Sequence, residues 1–309
     1  MKIGIVSNAA FCMPLLQALM HNRIQASVFA DACIGDQSDL QAIGHFCQQA
    51  RMPFQQGEPD YLYFWLEETK PDIVFVMGFT HLIRIEQIDA VLRNHIYNVH
   101  FGPLPAYRGP NPLFWQIKNG EAQLTATIHR INDRFDAGDV VWSKSVQREN
   151  YMSFGVVNMV LSQVVVEGAV YLIQHAIQKK QLPAIKQVAK NATYYKRPTL
   201  ADVLINWDNM NAEAIVNLVL ACNPWNKGAI TLLNGQEIKI LDVVSGEKSL
   251  SIQLNQQPPG TIISHQNELE VICADQHLLS INMLNINGAF VPGRHASTFG
   301  LTEGQRLGV

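Results

Sequence analysis

The chain has 309 residues, 48% of them hydrophobic and 16% charged, with 23 Lys and Arg against 26 Asp and Glu. That length holds about two domains of roughly 100–200 residues each, and so apolar a chain is not disordered throughout. The net charge of −3 gives no global sign of a nucleic-acid binder, although a local basic patch could sit inside it.

Residues 2–6 (KIGIV) are β-branched and apolar and read as a strand, followed by SNAA and by FCMPLLQALM at helical spacing. Residues 25–30 read as a second strand, Asp39–Ala50 as a helix, 73–77 as a third strand after Pro71-Asp72, and 96–99 as a fourth. Further strands are expected at 124–130 and 139–145, and a long helix over Val156–Ile177. Strands alternating with helices predict an α/β fold: a Rossmann-like, doubly wound, mostly parallel sheet with its site beyond the strands' carboxyl ends. The first strand–helix loop, SNAAF, lacks GxGxxG, which argues against a nicotinamide dehydrogenase. From Lys179 to Arg197 there are six bases and no acid, and the stretch reads as a linker. After a short helix near Ala212–Leu220, alternating runs at 228–233, 237–243, 261–264, 268–273 and 278–284 predict a small β-barrel, OB-like in kind. The expected division is 1–178, a basic linker over 179–200, and 201–309.

Five scattered cysteines (Cys12, Cys33, Cys47, Cys222, Cys273), never spaced as CxxC, read as buried thiols in a reducing cytosol, not as a disulfide framework or zinc site. The N-terminal apolar stretch is too short for a signal sequence. No run of about 18 apolar residues is evident, so the expectation is a cytoplasmic protein with no membrane partner.

The chemistry concentrates in Asn98-Val-His100-Phe-Gly-Pro-Leu-Pro-Ala-Tyr-Arg108-Gly-Pro-Asn-Pro112. Asn98 and His100, two apart on a strand, share one face, which suits an oxyanion site with an adjacent acid or base. A rigid surface turn with an incidental histidine fits the same residues. Thr127 and His129 share a face in the same way, and Asp136-Ala-Gly-Asp139 forms a tight turn. A carboxylate returned near His100 would raise its pKa and fix its tautomer; either Asp could equally cap the turn, and His129 could be a core histidine. None of the ten histidines lies in a ligand-spaced pair on a helix, so no metal is expected. Trp115 reads either as a stacking platform for a base or as packing for the first turn of its helix, and Trp207 and Trp225 read as core.

The ordered set NxH…LPxYRGxxP…TIH…DAGD resembles the formyltransferases that use 10-formyltetrahydrofolate. ATYYKRPTLADVLINWD, ACNPWNKGAIT and QPPGTIIS resemble the linker and barrel of methionyl-tRNA formyltransferase and of amino-sugar formyltransferases, so the likeness covers nearly the whole chain. It implies Asn98, His100 and Asp136 as a catalytic triad, supported by Thr127 and His129 through water. Asp136 is preferred to Asp139 because it follows His129 by seven residues, as the family's acid does. The resemblance also implies that the loop Met77-Gly78-Phe79-Thr80-His81-Leu82-Ile83 takes the pterin of the folate. The loop 132–139, with Asp133 and Asp136, would close over it; Arg108 and Trp115 are the candidate acceptor-binding residues. On that reading protonated His100 and the Asn98 amide hold an oxyanion, and Asp136 holds the imidazolium.

The acceptor amine is the open choice. A tRNA acceptor needs phosphate-neutralising surface, yet the stretch 31–47 has no Lys or Arg, and residues 198–309 hold ten acids and five bases. By location, residues 1–178 carry sixteen acids and twelve bases, a net −4, the linker +6 and the remainder −5. One narrow basic strip suits a few phosphates better than a long RNA. A nucleotide-linked amino sugar, or another small or carrier-borne amine, is therefore favoured over methionyl-tRNA. A formyltetrahydrofolate hydrolase and a non-catalytic folate-binding protein are the rival classes. A barrel edge is a common dimer surface, and the oligomeric state stays open.

Overall fold

A computed structural model describes residues 1–33, 37–249, 257–265 and 268–308. In chain order come β1 (Lys2–Ser7), α1 (Met13–His21), β2 (Gln25–Asp31), α2 (Gln37–Gln49), β3 (Phe54–Gly57), α3 (Tyr61–Thr69), β4 (Ile73–Met77), β5 (Ile96–His100), α4 (Pro112–Lys118), β6 (Gln123–Arg130), β7 (Val140–Gln147) and α5 (Phe154–Ile177). They are followed by α6 (Leu200–Val203), α7 (Ala212–Cys222), β8 (Ala229–Leu233), β9 (Gln236–Ser249), β10 (Ile262–His265), β11 (Glu268–Ile272), β12 (His277–Ile286) and β13 (Ala289–Pro292). Within the acid-bearing stretch 31–47, residues 34–36 lie outside the described residues.

The chain divides into two compact units. The first comprises Met1–Pro112, Gln123–Gln147 and Asn158–Lys196; the second comprises Leu113–Ala122, Arg148–Val157 and Arg197–Val309. Two short pieces of the N-terminal half thus group with the C-terminal unit, and 179–196 belongs with the first unit. That stretch has no apolar periodicity because it is an extended edge chain. Its backbone is tied down by isolated bridges, Val140 with Ile185 and Arg108 with Tyr194.

In the first unit seven strands run in the order β3-β2-β1-β4-β5-β6-β7. The ladders from β3 to β5 are parallel, and β6 and β7 add antiparallel. All five residues of β4, and all but the first of β1, are buried, as expected of central parallel strands covered on both faces. Leu62, Trp65 and Leu66 of α3, at i, i+3 and i+4, pack with Phe29, Val74 and Val76 in one core cluster, the spacing of a single helix face. The order reverses between β1 and β4, which places the crevice for ligands at the carboxyl ends of these strands.

Helix α5 corrects one expectation. It is long and apolar enough to cross a membrane by length and composition, with a mean hydropathy of 1.8 over 18 residues; Gln163 and Glu167 hide the run from a simple count. Its Val157, Leu161, Val165, Ala169 and Leu172 are buried, a stripe at helical spacing that marks a helix packed by one face on protein. Gly168 lies in close contact with Ile128 of β6 and Trp142 of β7, where a Cβ would come within 2.7 Å of both side chains. Gly168→Val is expected to destabilise the chain by about 1–3 kcal/mol through overpacking, read as a lowered denaturation midpoint.

In the second unit the ladder runs β10-β11-β12-β9-β8, with β13 added to β12. Among the described residues β8 does not pair with β10, so the expected barrel is a half-barrel. Register shifts between β12 and β9 supply the bends that curl it. Trp207 is buried and donates its Nε1–H to Thr231 Oγ1 at 2.9 Å. Trp225 is 40% exposed, contrary to its expected place in the core. Of the cysteines, Cys33 is exposed, contrary to expectation, and the other four are buried; burial pushes the Cys12, Cys222 and Cys273 thiols up to about 12, which disfavours their thiolates.

Candidate active site

The antiparallel register of β5 on β6 sets Asn98 opposite His129 and His100 opposite Thr127. Residues two apart share a face, so the four side chains form one patch at the carboxyl end of β5. The β6–β7 connection returns Asp136 to this patch in a left-handed conformation, φ +52°. Asp139 closes the base of that connection by accepting Arg130 N–H at 2.9 Å.

Three groups converge on one carboxylate oxygen. Asp136 Oδ1 lies 3.4 Å from Asn98 Nδ2, 3.5 Å from His100 Nδ1 and 3.6 Å from His129 Nε2. Each distance exceeds that of a good hydrogen bond, so each contact can be tightened or exchanged for a ligand oxygen. The other carboxylate oxygen, Oδ2, is firmly held by Gly109 N–H at 2.8 Å.

The tautomers follow from the fixed partners. His100 Nε2 is 2.8 Å from the Tyr107 carbonyl, which can only accept, so Nε2 carries the hydrogen and Nδ1 faces the site. His129 Nδ1 is likewise 2.8 Å from the Arg130 carbonyl. This leaves its Nε2, in the neutral ring, as acceptor for Asn98 Nδ2–H at 3.1 Å. Burial holds His100 below the ordinary imidazole range, with the Asp136 charge pulling the other way. Burial thus favours the neutral form of the resting ring. A bare Nδ1 facing a carboxylate has no proton to share, which accounts for the 3.5 Å gap. For Asp136, burial raises the carboxyl, but the facing His100 and His129 rings and the Gly109 N–H outweigh it and bring it down to about 2.

Thr127 donates its hydroxyl to the Gly102 carbonyl at 2.6 Å and so anchors the start of the 101–112 loop. Gly102 leaves room for the imidazole, since a Cβ there would come within 2.8 Å of His100 Nε2. A cleft of about 400 Å³ near this patch is lined by Leu82, Arg108, Asp133, Arg134, Phe135 and Tyr194. It gathers three sequence-predicted residues, Leu82, Arg108 and Asp133. Of the 77–83 loop, Gly78 (φ +76°) and Leu82 are exposed, whereas Met77 and Ile83 are buried and Phe79 packs against the core. Trp115 belongs to the second unit and is buried there, with its ring on Phe114 and under Lys118 Nζ. The packing alternative, not the stacking platform, fits that burial. A larger cleft of about 1050 Å³, lined by Met1, Lys70, His95 and Lys179 among others, opens by the residues that precede β1, β4 and β5, at the opposite end of the sheet. Among the described residues no group of three His, Cys, Asp or Glu is placed to hold a metal ion.

Sequence spacing gave no access to the Tyr107 carbonyl or the Gly109 N–H, because backbone groups carry no residue signature. It also missed Gln187. That side chain donates to the Asp136 and Gly138 carbonyls at 2.9 and 2.7 Å and accepts from Arg108 Nε and Nη2 at 3.2 and 2.6 Å.

The chain is similar in fold to WlaRD, a sugar 3N-formyl transferase solved in the presence of dTDP and 5-N-formyl-THF. The TM-score is 0.70 at 18% identity, over 91% of this chain and 97% of that one. An N-formyltransferase from Helicobacter canadensis, in complex with folinic acid and dTDP-3-aminofucose, matches with a TM-score of 0.70 at 15% identity, over 91% and 98% of the two chains. HypX from Aquifex aeolicus, in complex with tetrahydrofolic acid, matches with a TM-score of 0.67 at 17% identity, over 97% of this chain but 47% of that longer one. The family model described as "Formyl transferase" matches residues 31–151, and the one described as "Formyl transferase, C-terminal domain" matches 199–290. With both of its models matched in order across more than half of the sequence, the chain belongs to the formyl transferase family.

Proposed function

We propose that this formyl transferase moves the formyl group of 10-formyltetrahydrofolate to the primary amine of a nucleotide-linked amino sugar, with Asn98, His100 and Asp136 at the reacting centre. The observation that carries the reading is the convergence of Asn98 Nδ2, His100 Nδ1 and His129 Nε2 on Asp136 Oδ1 at 3.4–3.6 Å.

The folate co-substrate supplies an activated formyl carbon bound to N10. His100, neutral at rest, offers Nδ1 as the base that takes a proton from the amine as its nitrogen bonds to that carbon. The imidazolium so formed closes on Asp136, whose charge stabilises it. The carbonyl oxygen becomes an oxyanion, and Asn98 Nδ2–H, held only loosely by Asp136, is free to donate to it. His100 Nδ1 then returns its proton to N10 as the carbon–N10 bond breaks, leaving an N-formyl amine and tetrahydrofolate. Because burial depresses His100, the acid limb of kcat/KM is expected to fall below the ordinary imidazole value of about 6.5.

The residues present fit a folate. Exposed Gly78 offers backbone to the amide-like edge of a pterin, and Leu82 offers apolar surface, the mixture that ligand pockets use. Arg108 and Arg134 beside the same cleft suit the diphosphate of a nucleotide. Support for a nucleotide sugar over tRNA comes from two sources. The sugar N-formyltransferases match over 97–98% of their own length, and the sequence beyond residue 197 is acidic, with ten acids against five bases.

The test supplies 10-formyltetrahydrofolate together with dTDP-linked 3-amino and 4-amino sugars, methionyl-tRNA, or no acceptor. N-formylation of a nucleotide amino sugar is expected. Efficient formylation of methionyl-tRNA alone would overturn the acceptor assignment.

A further inference from the structure

We infer that Gln187 is a positioning residue that locks the catalytic carboxylate to the Arg108 loop. The inference rests on the role proposed above for Asp136. Within 183–191 every residue but Gln187 is exposed, so this one side chain turns inward from a run that otherwise faces water. Both hydrogens of its amide are used, one on the Asp136 carbonyl and one on the Gly138 carbonyl, while Oε1 receives two donors from the Arg108 guanidinium.

These bonds close a ring. Gln187 holds the Asp136 backbone, Asp136 Oδ2 holds Gly109 N–H, and Arg108, the neighbour of Gly109, returns to Gln187. The ring matters because Asp136 sits at φ +52°, a left-handed conformation that costs a non-glycine residue on the order of 1 kcal/mol and persists only where surroundings enforce it. The loop fixed by the ring also carries the Tyr107 carbonyl that sets the His100 tautomer. Gln187 thus acts on both members of the acid–base pair while touching neither side chain. Its partner choice has a second consequence: a neutral amide holds the Arg108 guanidinium in place without cancelling its charge, as a carboxylate would.

The experiment compares Gln187→Met, Gln187→Glu and Asp136→Asn in the intact chain, using 10-formyltetrahydrofolate and a dTDP-linked amino sugar. Gln187→Met keeps the length and removes every polar contact. Gln187→Glu keeps the acceptor for Arg108 and removes both donors to the 136–138 turn. Both are expected to lower kcat about 10- to 100-fold, the scale of a misplaced catalytic group, with the KM for the folate changed less than threefold. A second readout needs no turnover: the His100 ring titration followed by NMR in the unliganded protein. The charged or titratable groups facing His100 are Asp136, His129 and Arg108. With Asp136 loosened, the ring loses the partner that favours its charged form, so the uncharged Gln187→Met variant is expected to titrate at lower pH than the wild type, as Asp136→Asn does. Wild-type kcat in Gln187→Glu together with an unmoved His100 titration in Gln187→Met would overturn the inference, leaving Gln187 only a holder of Arg108. An active Asp136→Asn would instead overturn the underlying reading of the site.

Discussion

Asp136→Asn is expected to slow formyl transfer by about 10²- to 10⁴-fold, the range for loss of acid–base catalysis, with little change in KM for the folate. The carboxylate does two things that an amide cannot. It is ionised at every working pH, being held at about 2, and it lies 3.5 Å from the one ring nitrogen of His100 not committed to a carbonyl. An amide at this position brings no charge to stabilise the imidazolium. It also presents N–H groups that would occupy the Nδ1 lone pair and block the base. The substitution is nearly isosteric, so the Gly109 contact can persist through the remaining carbonyl oxygen and the fold should hold. Steady-state kinetics together with a thermal melt separate the two effects. Near-normal turnover would remove Asp136 from the mechanism.

Gly109→Ala is expected to cost about 3 kcal/mol of stability and about 10²-fold in kcat. Gly109 has φ +101°, a region that side chains rarely adopt, and strain of this kind costs about 1–3 kcal/mol. Its Cβ would also overlap the Tyr195 carbonyl oxygen. Relief requires moving the 193–195 segment away from the loop, which breaks the Arg108 N–H to Thr193 O and Tyr195 N–H to Arg108 O bonds, 2.9 and 2.8 Å, each worth about 1 kcal/mol. The same shift carries Gly109 N–H off Asp136 Oδ2, and misplacement by about 1 Å is enough for a hundredfold loss. Gly235→Ala is the control. Gly235 also has positive φ, +78°, but a Cβ there meets nothing within 4 Å. It should lose about 1 kcal/mol and no activity. Equal behaviour of the two variants would show that backbone strain alone, and not the Tyr195 clasp, makes Gly109 necessary.

The pairing of Asn98 with His100, and of Thr127 with His129, on one strand face each was available from spacing alone. Period-two alternation is a property of any strand, and the register of β5 on β6 only had to place Asn98 opposite His129. The central strands were legible for a similar reason, since fully buried parallel strands are continuous apolar runs. β3 was not, because FQQG is a short edge strand whose middle two residues are exposed and which shows no alternation. α3 escaped notice because YLYFWLEET has no polar face over its first two turns, and helical periodicity is read from the contrast between faces.

The residues that hold the site rather than form it were hidden for another reason. Gln187 stands 51 positions from Asp136 and 79 from Arg108, in a stretch whose composition says only that it is basic and polar. Its role exists only once the edge chain 179–196 is laid along the first unit. The charge argument changes for the same cause. Lys179 and Lys180 of the basic strip line the cleft at the amino end of the sheet, while Arg108 and Arg134, outside that strip, line the smaller cleft with Leu82 and Asp133. The proposed phosphate contact therefore falls to those two arginines and not to the linker lysines.

The most direct measurement follows the formyl carbon itself. With the label in the formyl group of 10-formyltetrahydrofolate and a dTDP-linked amino sugar present, the wild-type chain should move the label into an N-formyl amide in step with tetrahydrofolate release. Little label should appear as formate, with or without acceptor. Label recovered as formate at the same rate whether or not the amine is present would contradict transfer to an amine, and would make the chain a hydrolase of the same folate.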